Sequence, residues 1–313
     1  MDIIPQPILL IISMAACLGG SLIRKIYSDK FTGSSLAKNV YNAISTGIGA
    51  IALAVMAVCF YGASSIASAS LFTVLLAIAF GIVTALQSLM MLKAFEVGPF
   101  AYTTVITSLS MLIPTLSGAL IFKTETIKPV QYAGIALMVV CLVLSVNMKK
   151  SADEKKASFK WILFCAGSFV SCGLIGVMQT WHQSDPARES ELNVFLVISF
   201  VIACVYSAVM SLISWKKEPK NDTPTKPRFP FLSLIPILIV VLAGVCSAVN
   251  NMFNLYLVGK MEKAVFFPLV NGGNLVLTSL SSLILFREKL TARQWIGIAS
   301  GIAAVLLLCN PFG

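Results

Sequence analysis

Charge is what this sequence has least of. Only 12% of its 313 residues are Asp, Glu, Lys or Arg, against roughly 25% in soluble domains. With 58% apolar residues and a mean hydropathy of +0.90, that scarcity excludes an ordinary soluble fold. Acidic side chains are absent from the depth of every apolar stretch: Asp29, Glu96, Glu125, Asp185, Glu189, Glu191, Glu262 and Glu288 all stand at ends or in connections. There is a single histidine, His182, and no HExxH, buried Asp pair or Gly-rich phosphate loop. Acid, base and nucleophile therefore have no residues to fill their roles, and neither enzyme chemistry nor a metal or cofactor is expected. The 8 cysteines fall within or at the edges of apolar runs and form no CxxC pair, which reads as small packing residues.

What the chain has instead is long apolar runs. A helix needs about 20 mostly apolar residues to cross a hydrocarbon core of roughly 30 Å. Ten stretches qualify, near 6–23, 39–61, 71–92, 99–122, 129–148, 161–181, 192–215, 231–256, 264–286 and 294–310. The expected fold is an all-α integral membrane protein of ten transmembrane helices. The formal charge of +10 raises nucleic acid as a partner, but the basic residues lie between stretches, where they report topology. Odd-numbered connections hold eighteen of the 23, including Lys149, Lys150, Lys155, Lys156 and Lys160; the even ones hold Lys123, Lys128, Arg188, Lys260 and Lys263. The positive-inside rule then puts the odd connections in the cytoplasm and both termini outside, in a plasma or bacterial inner membrane, with lipid as the surroundings and no nucleic-acid partner. Met1 to Pro7 lacks a basic n-region and Arg24–Lys25 follows the first stretch, so it reads as a retained helix and not a cleaved signal.

Sliding the chain on itself reveals a repeat at a shift of 163. Ala101 meets Ala264, Leu112 meets Leu275 and Thr115 meets Thr278. Glu125 then meets Glu288, Gln131 meets Gln294, and Gly134, Ile135 and Ala136 meet Gly297, Ile298 and Ala299. Each copy holds five stretches, so the second must enter the membrane from the opposite side. The expected domains are a first five-helix repeat (1–148), a basic linker (149–160) and a second, inverted five-helix repeat (161–313). Inverted repeats are a common plan of secondary transporters, which place the solute near the midplane and open alternately to each side.

Ten stretches in two five-helix halves, with Glu, then Gln six residues on, then Gly three beyond in each half, resemble the EamA-type permeases of the drug/metabolite transporter superfamily. Ala-Cys-Leu-Gly-Gly-Ser at 16–21 is similar to that family's first-helix Gly-Ser element, though without the Trp often beside the Gly. The resemblance implies a permease for amino acids or other small metabolites, with a central cavity. Termini outside depart from the family's usual orientation. The first helix has no carboxylate, whereas small multidrug carriers of the superfamily use one there for proton and cation exchange.

Polar residues inside apolar stretches mark where solute chemistry would sit, because an unpartnered amide or hydroxyl in hydrocarbon costs about 1–3 kcal/mol or more. Ser247, Asn250 and Asn254 follow i, i+3, i+7, one face of a helix, and the shift pairs them with Thr84, Gln87 and Met91. Asn271, Asn274 and Thr278 follow the same spacing and pair with Ser108, Met111 and Thr115. A neighbouring stripe adds Thr103, Thr107 and Ser110 and ends at Pro114. The candidate solute contacts are Gln87, Thr107, Ser110, Asn250, Asn254, Asn271, Asn274 and Thr278, lining one central cavity; an amide can both donate and accept. The alternative for each is interhelical glue. Gly272 and Gly273 admit close helix approach or local unwinding. Trp181 reads as an interfacial anchor, and His182 as a group near the surface that titrates near neutral pH. Glu125 and Glu288 are expected to brace helix turns.

The expectation is a carrier of a small polar solute, amino acid-like by preference, by alternating access. A coupling ion or counter-solute remains open, and one chain suffices for a pathway. The alternatives are a structural or signalling membrane protein, or an importer of a sugar, amine or nucleoside-type solute.

Overall fold

Apolar runs of this length fold as helices because hydrocarbon leaves each backbone N–H and C=O to find its partner within the segment. The structure, a computed structural model, describes residues 5–31, 35–62, 69–97, 100–123, 126–145, 158–217, 234–285 and 291–309. Among the described residues there are eleven α-helices and no strand. They are α1 (Gln6–Phe31), α2 (Ser35–Tyr61), α3 (Leu71–Val97), α4 (Phe100–Leu109), α5 (Leu112–Leu120), α6 (Pro129–Ser145), α7 (Phe159–Gln183), α8 (Leu192–Lys217), α9 (Leu234–Lys260), α10 (Lys263–Leu285) and α11 (Ala292–Cys309). Five segments are long and apolar enough to cross a membrane: Leu36–Tyr61, Leu71–Met91, Phe159–Gln183, Pro186–Lys216 and Ile235–Lys260. Gln6–Gly20, Ile106–Leu120, Pro129–Leu144 and Ala292–Leu308 are shorter apolar helices. Helix α1 runs on past its expected end to Phe31, since Arg24 and Lys25 close the apolar run without breaking the helix.

The chain divides into two compact units, each drawing on both halves of the sequence: Met1–Ala85 with Ala187–Tyr256, and Leu86–Pro186 with Leu257–Gly313. In the first unit α2 lies along α8, and small residues let the two approach. A methyl on Gly49 would come within 2.7 Å of the Phe200 ring. At one end of this pair Asn39 Nδ2 donates to Ser214 Oγ at 2.9 Å. Two further glycines make reciprocal contacts. A Cβ on Gly81 of α3 would sit 2.5 Å from the Ser199 carbonyl oxygen and 2.9 Å from Ile202 Cβ in α8, and one on Gly244 of α9 would sit 2.6 Å from the Ser45 carbonyl oxygen and 3.0 Å from Ile48 Cβ in α2. Each glycine thus lets its helix rest on the backbone of a helix from the other half. The start of α3 is capped by Glu191, which accepts from Ser70 N (3.0 Å), Ser70 Oγ (2.7 Å) and Thr73 Oγ1. An acidic group there also complements the positive end of the helix dipole. Arg188, from the short 3₁₀ turn Pro186–Glu191, stacks its guanidinium 3.6 Å from the centre of the Phe72 ring.

In the second unit α6 lies along α11. Their seam holds Ile135, Met138, Cys141, Leu142, Ala304 and Leu308, all buried, with Met111 beside them. Gly134 against Leu308 and Gly301 against Cys141 again bring the helices close. The two starts are capped alike: Gln131 Oε1 accepts from Lys128 N at 2.8 Å, and Gln294 Oε1 accepts from Thr291 N at 2.9 Å. This is the backward reach of a capping box, in which the third helical residue satisfies the N–H just ahead of the helix. The Gln pair singled out by the 163-residue shift therefore performs one task twice. Gln131 goes further, donating from Nε2 to Glu262 Oε2 at 2.7 Å. Glu125 and Glu288 lie outside the described residues.

The expected stretch 99–122 is two helices, not one. Pro114 has no N–H, and its ring clashes with the carbonyl four residues back, that of Ser110. The chain tightens there instead: Ser110 N bonds Thr107 O (3.1 Å), Met111 N bonds Ser108 O (3.3 Å), and Ile113 N takes the Ser110 carbonyl (3.1 Å). Thr115 Oγ1 and Ser117 Oγ donate to the Met111 and Pro114 carbonyls at 2.7 and 2.8 Å. Such hydroxyl and i−3 bonds are how a break inside an apolar segment keeps its backbone satisfied.

Candidate functional site

A hydroxyl or amide placed on an apolar helix must find a partner or face something polar, so each polar residue can be asked which it does. In the first unit α9 presents Asn250 and Asn254 one turn apart, and α1 supplies the group they meet. Ser13, fully buried, donates from Oγ to Asn254 Oδ1 at 2.7 Å and to Asn250 Oδ1 at 3.1 Å. Asn254 Nδ2 donates to Asn250 Oδ1 at 3.3 Å. Helix α1 is held against α9 nearby, where Cβ atoms on Gly19 and Gly20 would touch Cys246 at 3.6 Å. Both amide oxygens are thus turned toward Ser13 and share its single O–H. Asn250 is half-buried, and its Nδ2 has no acceptor among the described residues. Asn251, off this face, returns its Nδ2 to the Ser247 carbonyl at 2.9 Å.

In the second unit the stripe Thr103, Thr107, Ser110 turns toward α7. Trp161 Nε1 donates to Thr103 Oγ1 at 2.8 Å, and Thr107 Oγ1 lies 3.4 Å from Ser168 Oγ. Thr107 is 7% and Ser110 3% exposed. Below them α5 sits directly on α7: a Cβ on Gly173 would strike Ile113, and one on Gly176 would come within 2.6 Å of Pro114. Asn271 donates from Nδ2 to the Phe267 carbonyl at 2.9 Å, one turn back in its own helix. Asn274 is half-buried with its Oδ1 sealed from solvent. Gln87 donates to Met91 Sδ at 3.6 Å, so the i, i+4 pair of α3 is in contact just as the matched Asn250–Asn254 pair of α9 is. The side chain of Thr278 lies outside the described residues. Between Asn271 and Asn274 helix α10 continues without unwinding. Gly272 instead provides close approach, since a Cβ there would fall 1.8 Å from Met138 Sδ.

His182 is fully buried at the end of α7 rather than at a surface, with Gln183 Nε2 3.1 Å from its Nδ1. Trp181 beside it is half exposed, as an interfacial residue would be. Among the described residues no two cysteines are joined in a disulfide. Among the described residues no group of His, Cys, Asp and Glu could hold a metal ion. The residue that sequence periodicity passed over is Ser13, the one hydroxyl within the apolar run Gln6–Gly20 of α1.

The model of the EamA-like transporter family matches residues 159–310. An uncharacterized protein of Haemophilus influenzae is 22% identical to the chain over 237 residues, 74% of each protein. A solved crystal structure aligns with 96% of this chain and 95% of its own at a TM-score of 0.72 and 15% identity, a likeness of fold.

Proposed function

We propose that the chain, whose residues 159–310 match the model of the EamA-like transporter family, is a multi-pass membrane carrier moving a small polar metabolite, amino acid-like by preference, by alternating access. The observation that carries the reading beyond the matched region is the recurrence of its features in the half that precedes it. Gln131 repeats the cap made by Gln294, and Gly81 repeats the backbone contact made by Gly244. The contacts of Gly81 on α8 and Gly244 on α2 are reciprocal between the halves, the pattern generated when two copies are related by a two-fold axis. With five spans to a copy, such copies run in opposite directions through the bilayer. That supports the inverted arrangement from which carriers draw their two access states.

In this reading the odd connections face the cytoplasm, the termini lie outside, and a single chain completes the pathway. The solute contacts in this reading are Asn250 and Asn254 in the first unit and Gln87, Thr107, Ser110, Asn271, Asn274 and Thr278 in the second. The absence of embedded carboxylates in the sequence favours a neutral or zwitterionic solute.

Counterflow in proteoliposomes over labelled amino acids, amines, sugars and nucleosides tests this, comparing the native chain with Asn250→Ala plus Asn271→Ala. Saturable exchange of one class, lost in the folded double variant, is the expected result. No exchange of any class by a folded and inserted chain would reject the carrier in favour of a structural or signalling role.

A further inference from the structure

We infer that the Ser13–Asn250–Asn254 cluster is the half of the solute site that reads a hydrogen-bond acceptor, and that it binds the carboxylate of the solute. The inference rests on the carrier reading above for its setting, but its argument is the hydrogen count of the cluster. The single Ser13 O–H is shared between both amide oxygens, and Asn254 Nδ2 donates to that of Asn250, so Asn250 Oδ1 is filled while Asn254 Oδ1 keeps one lone pair. An amide carries two N–H groups. Both of those on Asn250, and the second on Asn254, remain without an acceptor among the described residues. The cluster is therefore donor-rich: three N–H groups stand against one spare lone pair on Asn254 Oδ1.

Donors of this kind call for an oxygen with lone pairs to spare, and a carboxylate presents two oxygens with about four lone-pair sites. The same count argues against an ammonium, which brings only further N–H groups to a place where donors already outnumber acceptors. It also argues against a doubly charged phosphate, because the cluster consists of one hydroxyl and two amides and carries no positive charge. Hydrogen bonds in which the acceptor is ionised are roughly twice as strong as neutral ones, so a carboxylate gains most from these groups.

Ser13 is then a positioning residue. It touches no solute atom in this account. Fully buried, it holds both oxygens inward and so keeps the nitrogens outward. Without it nothing fixes which end of either amide faces the solute, and preference for an acid over its decarboxylated amine should fade even where binding survives.

The test uses the full chain in detergent and in proteoliposomes, with matched triplets of acid, carboxamide and decarboxylated amine: alanine, alaninamide and ethylamine; phenylalanine, phenylalaninamide and phenethylamine. Ligand-induced thermal protection and counterflow are both read. The native chain should favour the acid of a triplet over the amine by about tenfold or more, the size of one charge-assisted hydrogen bond. Asn250→Asp, nearly the same shape with donors exchanged for acceptors, should remove that preference or reverse it. Ser13→Ala should reduce it, and Ser13→Thr, which keeps the hydroxyl, should restore it. Equal protection by acid and amine in the native chain, or a preference unchanged to within about twofold in a folded Asn250→Asp variant, would overturn the assignment. If solutes exchange but the preference ignores these substitutions, the carrier reading stands and the carboxylate assignment falls. Acid-selective protection that depends on Asn250, without exchange, keeps the assignment and removes the carrier.

Discussion

The fourth apolar stretch of each half occupies the same place in the repeat, yet α4 and α5 part between Leu109 and Leu112 while α10 runs whole from Lys263 to Leu285. One matched position accounts for the difference. Pro114 stands where the second half has Leu277, and the carbonyl a proline there obstructs belongs to Ser110 in one copy and Gly273 in the other. Pro268, inside α10, does not part its helix. Where the copies agree is equally informative: Gln131 and Gln294 cap alike, and Gly81 and Gly244 both rest on a backbone carbonyl. Contacts that hold backbones together are thus kept in both copies, while the polar middle of the fourth stretch has diverged.

The most severe way to break this comparison is to give α10 the proline of α5. Leu277→Pro removes the N–H directed at the Gly273 carbonyl and sets a ring against it. In a helix interior that costs about 3 kcal/mol or more, and the unfolding midpoint in detergent should fall accordingly. A midpoint like that of the native chain would mean that something other than this position separates the two stretches. Next in size are Gly81→Ala and Gly244→Ala, each forcing a methyl against a carbonyl oxygen that no rotamer change can move aside. Overpacking of this kind costs about 1–3 kcal/mol. The two losses should be alike, and a large inequality would dissolve the reciprocity of the halves.

Much of this is legible in the amino-acid sequence. Apolar runs mark where the helices lie, apart from the extension of α1 to Phe31 and the break between α4 and α5, and the shift of 163 picks out Gln131 and Gln294 because a cap depends only on residues three apart. The i, i+3, i+7 face of α9 was equally plain. Its partner was not: Ser13 lies 237 and 241 residues from the two Asn it meets, and periodicity within one helix carries no information about the neighbour. The same limit hid the engagement of Thr103 by Trp161. Nor does a proline in an apolar run declare its effect, since Pro114 falls in the first turn of a new helix and Pro268 within an intact one.

A milder contrast lies within the caps. Gln131→Ala loses the cap and also a hydrogen bond to the Glu262 carboxylate, whereas Gln294→Ala loses the cap on Thr291. Losing a helix cap costs about 1 kcal/mol, and a hydrogen bond to a charged group about 1.5–3 kcal/mol when its partner is not left stranded in the interior. Glu262 is at a helix start where water can replace part of the bond, so we expect about 2 kcal/mol for Gln131→Ala against about 1 for Gln294→Ala in denaturant midpoints. Equal losses would show that the Gln131–Glu262 bond contributes no stability of its own.

The smallest expected effect on stability is also the sharpest test of the comparison, because it makes the first copy resemble the second. In Pro114→Ala a new N–H stands four residues after Ser110, free to take the carbonyl now held by Ile113 N. The gain of roughly one hydrogen bond, about 1 kcal/mol, is offset by the lost rigidity of proline in the unfolded chain, about 0.4–1 kcal/mol. The unfolding midpoint should therefore hardly move. What should change is the backbone: if Pro114 alone keeps α4 and α5 apart, amide exchange over 110–115 slows to the rate of the matched segment 273–278 of α10. If instead the contacts of Thr107 with Ser168 and of Ile113 with Gly173 of α7 hold the break open, exchange stays fast with the proline gone. The two outcomes separate a break set by one residue's missing N–H from one set by the helix on which it rests.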